Sequence, residues 1–471
     1  MTSSKTKRIG MILSALSLLA GLTACGGDAP IPSNPTSSSD TAVTNAEERP
    51  WMKGLDFGGR TFIITNPNDN PGPTRGESEI ADLQLDQIEL VESTYNCKIK
   101  WEPLPKDGYY DRFVSAGAAG EYVADIVYAD NRQIYPGWVK TGLLVCLDDY
   151  EGIFDYEDNM WNKSIFNYMN WEGKHYAFST LTFDNYNDLG DGMYFNKDLF
   201  DAYNLTSPYE YYRNDTWTWD TMIELAEALT QDTDGDGEND QWGLSLVENY
   251  FPFLFSNGAT LMEEDANGKW VYTLNSPKAI EAFEFYADLS SKGLATPWNG
   301  DEKRDRIDPF VQGKVGMMPS NIARLGNTLA PQMADNYSYG WVPFPKGPSA
   351  DEYCLYRNST SLYVIPSTVE NPEQVMQMYV LIEDYNHNEN VDGLALCKGR
   401  YLCDDESLEI LRDAYEGGWN KYDMSRMVDG FLDLSRSAAD NFLSGAVSAK
   451  AATDAIADTA QKLIDDTFNA N

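Results

Sequence analysis

The chain has 471 residues and a formal net charge of -39, from 35 Lys and Arg against 74 Asp and Glu. That length supports more than one domain and a large core, and that charge repels nucleic acid and anionic lipid surfaces, so no nucleic-acid partner is expected. There are only two histidines, His175 and His387, and no G-x-S-x-G, G-x-x-x-x-G-K-[ST] or G-x-G-x-x-G motif. This argues against triad hydrolysis, nucleotide chemistry and any organic cofactor, and the chain is read as a non-enzyme.

Lys5, Lys7 and Arg8 precede an apolar run over 9–22. That run has the length of a signal sequence and is short for a transmembrane span, so residues 1–24 read as a signal peptide. Leu22-Thr23-Ala24-Cys25-Gly26 resembles the lipobox of bacterial lipoproteins. The resemblance implies cleavage before Cys25 and a lipid on Cys25 holding the chain at the outer face of the membrane. An ordinary secretory signal with an incidental cysteine is the alternative. Residues 25–50 are rich in Gly, Ser, Thr and Pro and are expected to form a disordered tether. Of the five later cysteines, Cys97 and Cys146 sit in apolar runs and read as core, and Cys397 and Cys403 are close enough in sequence to bridge.

Residues 59–65, 97–101 and 124–130 read as strands, with helices over 80–95 and 109–119 between them. Alternation of this kind predicts a parallel α/β sheet whose ligands gather at the carboxyl ends of the strands. Asp130, Asn131 and Arg132 follow such an end and are candidate ligand contacts. A helix N-cap without a ligand is the plainer reading. Trp171-Glu172-Gly173-Lys174 suggests a hairpin. Glycines in 188–192 are placed to absorb dihedral change at a first crossing between two lobes.

The stretch 193–243 is the most informative. After Met193-Tyr194-Phe195-Asn196-Lys197-Asp198-Leu199-Phe200 comes Thr216-Trp217-Thr218-Trp219-Asp220. Thr218 is placed to cap a helix that has Met222, Leu225, Ala226 and Leu229 on one face. The loop that follows carries Asp232, Asp234, Asp236, Glu238 and Asp240, with Gly237 at a turn. Hard oxygen donors at alternate positions suit a structural Ca2+. Position twelve of a regulatory calcium loop needs Glu and here is Gly243, so no switching role is expected. A solvated Asp/Gly turn without metal is the alternative.

Further on, Asn267-Gly268 marks a hairpin and Ser276-Pro277 starts a helix that runs to about 291. Residues 315–318 read as a buried strand ending in the turn Pro319-Ser320-Asn321. A strand covers 361–366, with the second lobe crossing near 360–362, and a helix follows Asn371-Pro372. The chain from about 408 reads as mostly helical.

The segments "ADIVYAD…TGLLVCLDDY", "MYFNKDLF", "TWTWD", "DTDGDGENDQWG", "FVQGKVGMM", "GWVPFPKG" and "SLYVIPSTVENPEQ" occur in this order. In that order they resemble the bacterial extracellular solute-binding proteins of ABC importers, in the large sugar-binding family that includes the maltose-binding proteins. The resemblance implies a two-lobed α/β fold of the periplasmic-binding-protein type II, hinged around a ligand cleft. It implies lobes of 51–190 with 362–400 and of 191–361 with 401–471, a sugar or oligosaccharide ligand, ABC permease subunits as partners, and a monomer. By motif it places Asp130, Asn131 and Arg132 on one lobe and Ser320 and Asn321 on the other. Trp419, Trp171 and Tyr186 are candidates to stack on a sugar. Maltose binders carry rings just after the second-lobe turn, where this chain has Ile322, Ala323 and Arg324, which points away from a maltodextrin. Another polar solute, such as a peptide or polyamine, and a cell-surface glycosidase are the remaining readings.

Overall fold

The computed structural model describes residues 49–471 apart from 68–71, 78, 151, 157–159, 181–189, 247–249, 298, 302, 323–336, 358, 385–393, 395–401, 403 and 470–471. The signal peptide, Cys25, most of the tether, Tyr186, His387, Cys397 and Cys403 lie outside the described residues. In chain order the strands are β1 (Arg60–Thr65), β2 (Cys97–Trp101), β3 (Ile126–Asp130), β4 (Asn170–Trp171), β5 (Lys174–His175), β6 (Ala177–Phe178), β7 (Asp191–Asn196), β8 (Trp242–Leu244), β9 (Met262–Glu264), β10 (Trp270–Tyr272), β11 (Val315–Asn321), β12 (Tyr339–Pro343), β13 (Leu355–Arg357), β14 (Ser361–Val364) and β15 (Asn420–Tyr422).

The first sheet has the order β2-β1-β3-β14-β6. Its parallel part follows from the alternating pattern, with helices Glu79–Thr94 and Tyr109–Ala119 linking β1, β2 and β3. Gly120 ends the second of these helices at φ 73, its N–H reaching the carbonyls of Ala116 and Gly117; glycine adopts that left-handed cap at little steric cost. The sheet is mixed, where an all-parallel one was expected. β14 runs antiparallel to β3, with Ser361 opposite Asp130, and β6 antiparallel to β14. The reason is connectivity. The chain returns through β14 at the end of the sheet where β3 finishes, so it must run the other way.

The second sheet has the order β15-β13-β7-β11-β8, with β12 also paired to β7. Its centre is β7, where Met193, Tyr194 and Phe195 are fully buried. β11 and β12 flank it, Met317 opposite Phe195 and Trp341 opposite Tyr194. Strands buried on both faces read as continuous apolar runs, which is how 193–195 and 315–318 look in sequence. Pro319, Ser320 and Asn321 do not form a turn. They are the last residues of β11, paired with Met193, Gly192 and Asp191. β7 begins early enough to supply a ladder partner for each, so the strand continues where composition suggested a bend.

The helix Trp219–Leu229 has the expected cap, with Thr218 and Thr221 in a reciprocal capping box, and Met222, Leu225, Ala226 and Leu229 are all buried. Helices Asp405–Glu416, Phe431–Leu443 and Ala449–Ile464 make the C-terminal region mostly helical, with β15 between the first two. Among the described residues no helix is long and apolar enough to cross a membrane. Cys97 and Cys354 are buried free thiols and Cys146 is half-buried.

The glycines expected to serve as a hinge have a packing role as well. Gly192 lies in β7 against the Trp341 indole, and a Cβ there would overlap the ring. Trp341 is itself fully buried and has nowhere to go. Gly192→Ala should therefore destabilise the fold by about 1–3 kcal/mol through overpacking, measured as a lower midpoint in chemical denaturation at unchanged slope.

Candidate functional site

The end of β3 is built around Asp130. Its carboxylate accepts the Arg132 N–H at 3.0 Å and caps the short helix Asn131–Gln133. It also holds the Arg132 guanidinium in two bonds of 2.7 and 2.9 Å. Asn131 is buried. Its N–H donates to the Thr360 carbonyl at 2.8 Å and its Oδ1 accepts the Thr360 N–H at 3.3 Å. Asn131 thus ties the strand end to the chain crossing between the sheets, and its amide oxygen is taken by protein.

A 3-10 turn, Met424–Met427, packs on the helix Asn131–Gln133. Asp423 caps this turn through the Ser425 N–H at 2.9 Å. Asp423 is fully enclosed, and burial pushes its carboxyl up against the opposing hydrogen bonds from Ser425. Arg426 projects from the same turn. Burial, and then the charge of Arg132, lower its basicity.

Next to this turn lies a cavity of about 690 Å3, lined among others by Tyr168, Asn170, Trp171, Glu172, Glu263, Glu264, Trp270, Tyr422, Asp423, Met424 and Phe468. Trp171 is presented by the expected hairpin, where Glu172 and Gly173 form the turn at φ 51 and 73. Phe468 sits between the two indoles, its ring 5.5 Å from Trp171 and 4.9 Å from Trp270, tilted 29° and 30°. The Asn469 side chain bonds the Trp270 N–H at 3.0 Å and its carbonyl at 2.9 Å, fixing the C-terminal turn to the second lobe. The same turn reaches Lys140, which donates to the Thr467 carbonyl at 2.5 Å and stands over the Trp171 ring.

A second cavity, of about 1110 Å3, has Tyr250, Arg306 and Arg436 among its lining. Burial raises the Tyr250 phenol, and the charges of Arg436 and Asp423 both reach it. Tyr250 therefore relates this cavity to the seam.

The other sequence candidates fall elsewhere. Ser320 and Asn321 are half-buried at the end of β11, with the Asn321 amide donating to the Gly190 carbonyl at 3.4 Å. Trp419 stands at the opposite end of β15 from Asp423, against Tyr353 at 5.5 Å and Tyr212 at 6.3 Å. It does not line the interlobe cavity. His175 has both ring nitrogens engaged, Nδ1 with Asp148 at 3.0 Å and Nε2 with the Phe166 carbonyl at 3.2 Å. That leaves neither nitrogen free for general-base work.

In the acidic loop, one oxygen each from Asp232, Asp234 and Asp236 lies within 4.8 Å of the others, all exposed. The Gly237 and Gly235 N–H groups bond Asp232 at 2.8 and 2.6 Å and hold its carboxyl below the ordinary range. Asp240 instead accepts from Thr233, at 3.1 Å from the N–H and 2.7 Å from the hydroxyl. Neither Asp240 nor Glu238 belongs to the convergent group. Gly243, where a regulatory loop would have Glu, lies so close to the Ala226 backbone that any Cβ would overlap it. The three aspartates fit a hard cation.

Residues 79–379 match the sequence profile of the bacterial extracellular solute-binding proteins. The chain belongs to that family. Its two-lobed α/β fold is shared with solved structures of low sequence identity. The maltose/maltodextrin-binding domain MalE from Bdellovibrio bacteriovorus, bound to maltotriose, matches at TM-score 0.54 and 18% identity, over 87% of this chain and 100% of that one. A cyclo/maltodextrin-binding protein complexed with maltotetraose matches at 0.58 and 13%, over 87% and 97%. UgpB from Mycobacterium tuberculosis, in complex with glycerophosphocholine, matches at 0.56 and 19%, over 87% and 99%.

In this solute-binding protein Phe468 and Trp270 were not foreseen from sequence. Trp270 reads as an ordinary strand residue and Phe468 as a helix residue, and nothing in a linear pattern brings together rings 198 positions apart. Their sandwich with Trp171 joins the hairpin β4–β5, the hairpin β9–β10 and the C-terminal turn. Phe468→Ala should loosen it, giving a larger radius of gyration for the ligand-free protein in small-angle X-ray scattering and weaker ligand binding; an unchanged radius would show that the rings do not hold the lobes together.

Proposed function

We propose that this chain is the lipid-anchored substrate-binding subunit of an ABC importer. It captures a sugar or oligosaccharide at the outer face of the bacterial cell membrane and delivers it, as a monomer, to permease subunits. Cys25 carries the lipid and 25–50 is the tether. Residues 51–190 with 362–400 form one lobe, and 191–361 with 401–471 the other. The observation that carries this reading is the cavity lined from both lobes by aromatic rings beside carboxylate and amide groups. Rings suit the C–H faces of a pyranose, and the polar groups suit its hydroxyls. A solute that touches both lobes favours the closed state, whereas one that touched a single lobe would not. Two of the solved structures that share the fold hold maltotriose and maltotetraose. Trp171 is the platform from the first lobe, and Asp130 and Arg132 border the seam.

Thermal shift against mono- and oligosaccharides, followed by calorimetry, tests the proposal. The expected result is a saturable ligand with a Kd of about micromolar, recovered chemically intact. Response only to peptides or polyamines would overturn the sugar assignment, and turnover of the glycan would overturn the receptor.

We also read Asp232, Asp234 and Asp236 as holders of a structural Ca2+, whose charge would offset their mutual repulsion and fix the loop between the helix Trp219–Leu229 and β8. Protein prepared without chelator should contain calcium and melt at a lower temperature after EDTA, and Asp234→Asn should abolish that difference. Metal-free protein with a melting temperature indifferent to EDTA would reject the site.

A further inference from the structure

We propose that the solute bears an anionic substituent, a carboxylate, sulfate or phosphate on the sugar, and that Arg426 is the residue that receives it. This rests on the receptor reading above and narrows its ligand class. Arg426 lies in the Met424–Met427 turn, which packs on the helix Asn131–Gln133, and the charges of Arg132 in that helix and Asp130 at its cap reach its guanidinium. The residue is half-buried, and its Nε is fully enclosed without a partner. Among the described residues its guanidinium donates no hydrogen bond and forms no ion pair.

The nearby acids are already committed. Both oxygens of Asp130 hold Arg132, at 2.7 and 2.9 Å. Asp423 accepts the Ser425 N–H at 2.9 Å and the Tyr356 hydroxyl at 3.5 Å. Burial also raises the Asp423 carboxyl against the charge of Arg426, and Asp130 is the acid whose charge favours the Arg426 cation. Two further cations, Arg132 and Arg436, act against the charge on Arg426.

A half-buried guanidinium facing like charges, with no oxyanion of its own, is an arrangement that a ligand oxyanion completes. Its planar fork can give two parallel N–H···O bonds to a carboxylate, sulfate or phosphate. The chain's net charge of -39 repels anions in general, and the neighbouring cavity carries Glu172, Glu263 and Glu264; a basic spot confined to the Met424–Met427 turn would select an anionic group only there.

The test is calorimetry on the full chain with matched pairs: oligogalacturonides and their methyl esters, sulfated and desulfated chondroitin disaccharides, and phosphorylated and plain maltooligosaccharides. In the arm that binds, the acidic form should be at least about tenfold tighter than its neutral partner, as expected for one charge-assisted contact. Its affinity should fall with added salt. Arg426→Gln should remove this preference while leaving the neutral partner's affinity within about twofold, and Arg426→Lys should restore part of it. If the Gln variant melts early, the wild-type pairs and their salt dependence still decide. Neutral and acidic forms binding equally would overturn the anionic assignment and leave the sugar receptor standing. Silence in every arm, alongside a neutral sugar that binds in the thermal-shift panel, would overturn the anionic assignment alone. Which pair responds separates carboxylate, sulfate and phosphate.

Discussion

Asn131 ties its own backbone and side chain to the two backbone groups of Thr360. One residue joins the end of β3 to the chain just before β14 in this way, and much else follows from it. It fixes where the chain passes from the second sheet into the first, and so the register that puts Ser361 opposite Asp130. It positions the short helix Asn131–Gln133, and with it Arg132. That helix is the surface on which the Met424–Met427 turn rests. A buried amide with both backbone partners satisfied keeps such a joint specific, because any slip leaves polar groups unpaired in the interior.

The two sides of the cleft are held differently. Near Asn131 the connection is covalent chain and buried hydrogen bonds. At the far side of the aromatic cavity it is the stacking of Phe468 on Trp171 and one exposed bond from Lys140. The first is costly to break and the second is not. A body with one firm and one weak connection opens more readily at the weak one.

Local chemistry was legible in the sequence wherever it determined the outcome. The alternation from β1 to β3, the Thr218 cap and the Glu172-Gly173 turn need only neighbours a few residues away. Features set by distant partners were not legible. Pro319, Ser320 and Asn321 look like a turn until β7 is laid beside them. Asn131 at a strand end looks the same whether a solute or a backbone will take its amide. Trp419, preceded by two glycines, reads equally as a sugar platform or as packing, and it stands in a ring cluster with Tyr212 and Tyr353 that no linear pattern shows. Gly243 is the converse case: its departure from the calcium-loop pattern is explained by a helix backbone pressed against it.

The free thiols described above bear on life outside the cell. Burial pushes Cys97 up to about 11 and Cys354 up to about 12. Near neutral pH both side chains then stay as thiols and not as the thiolate, the form that attacks disulfides and reacts with oxidants. An extracellular protein can therefore keep these cysteines reduced without a reductant nearby, because enclosure itself protects them.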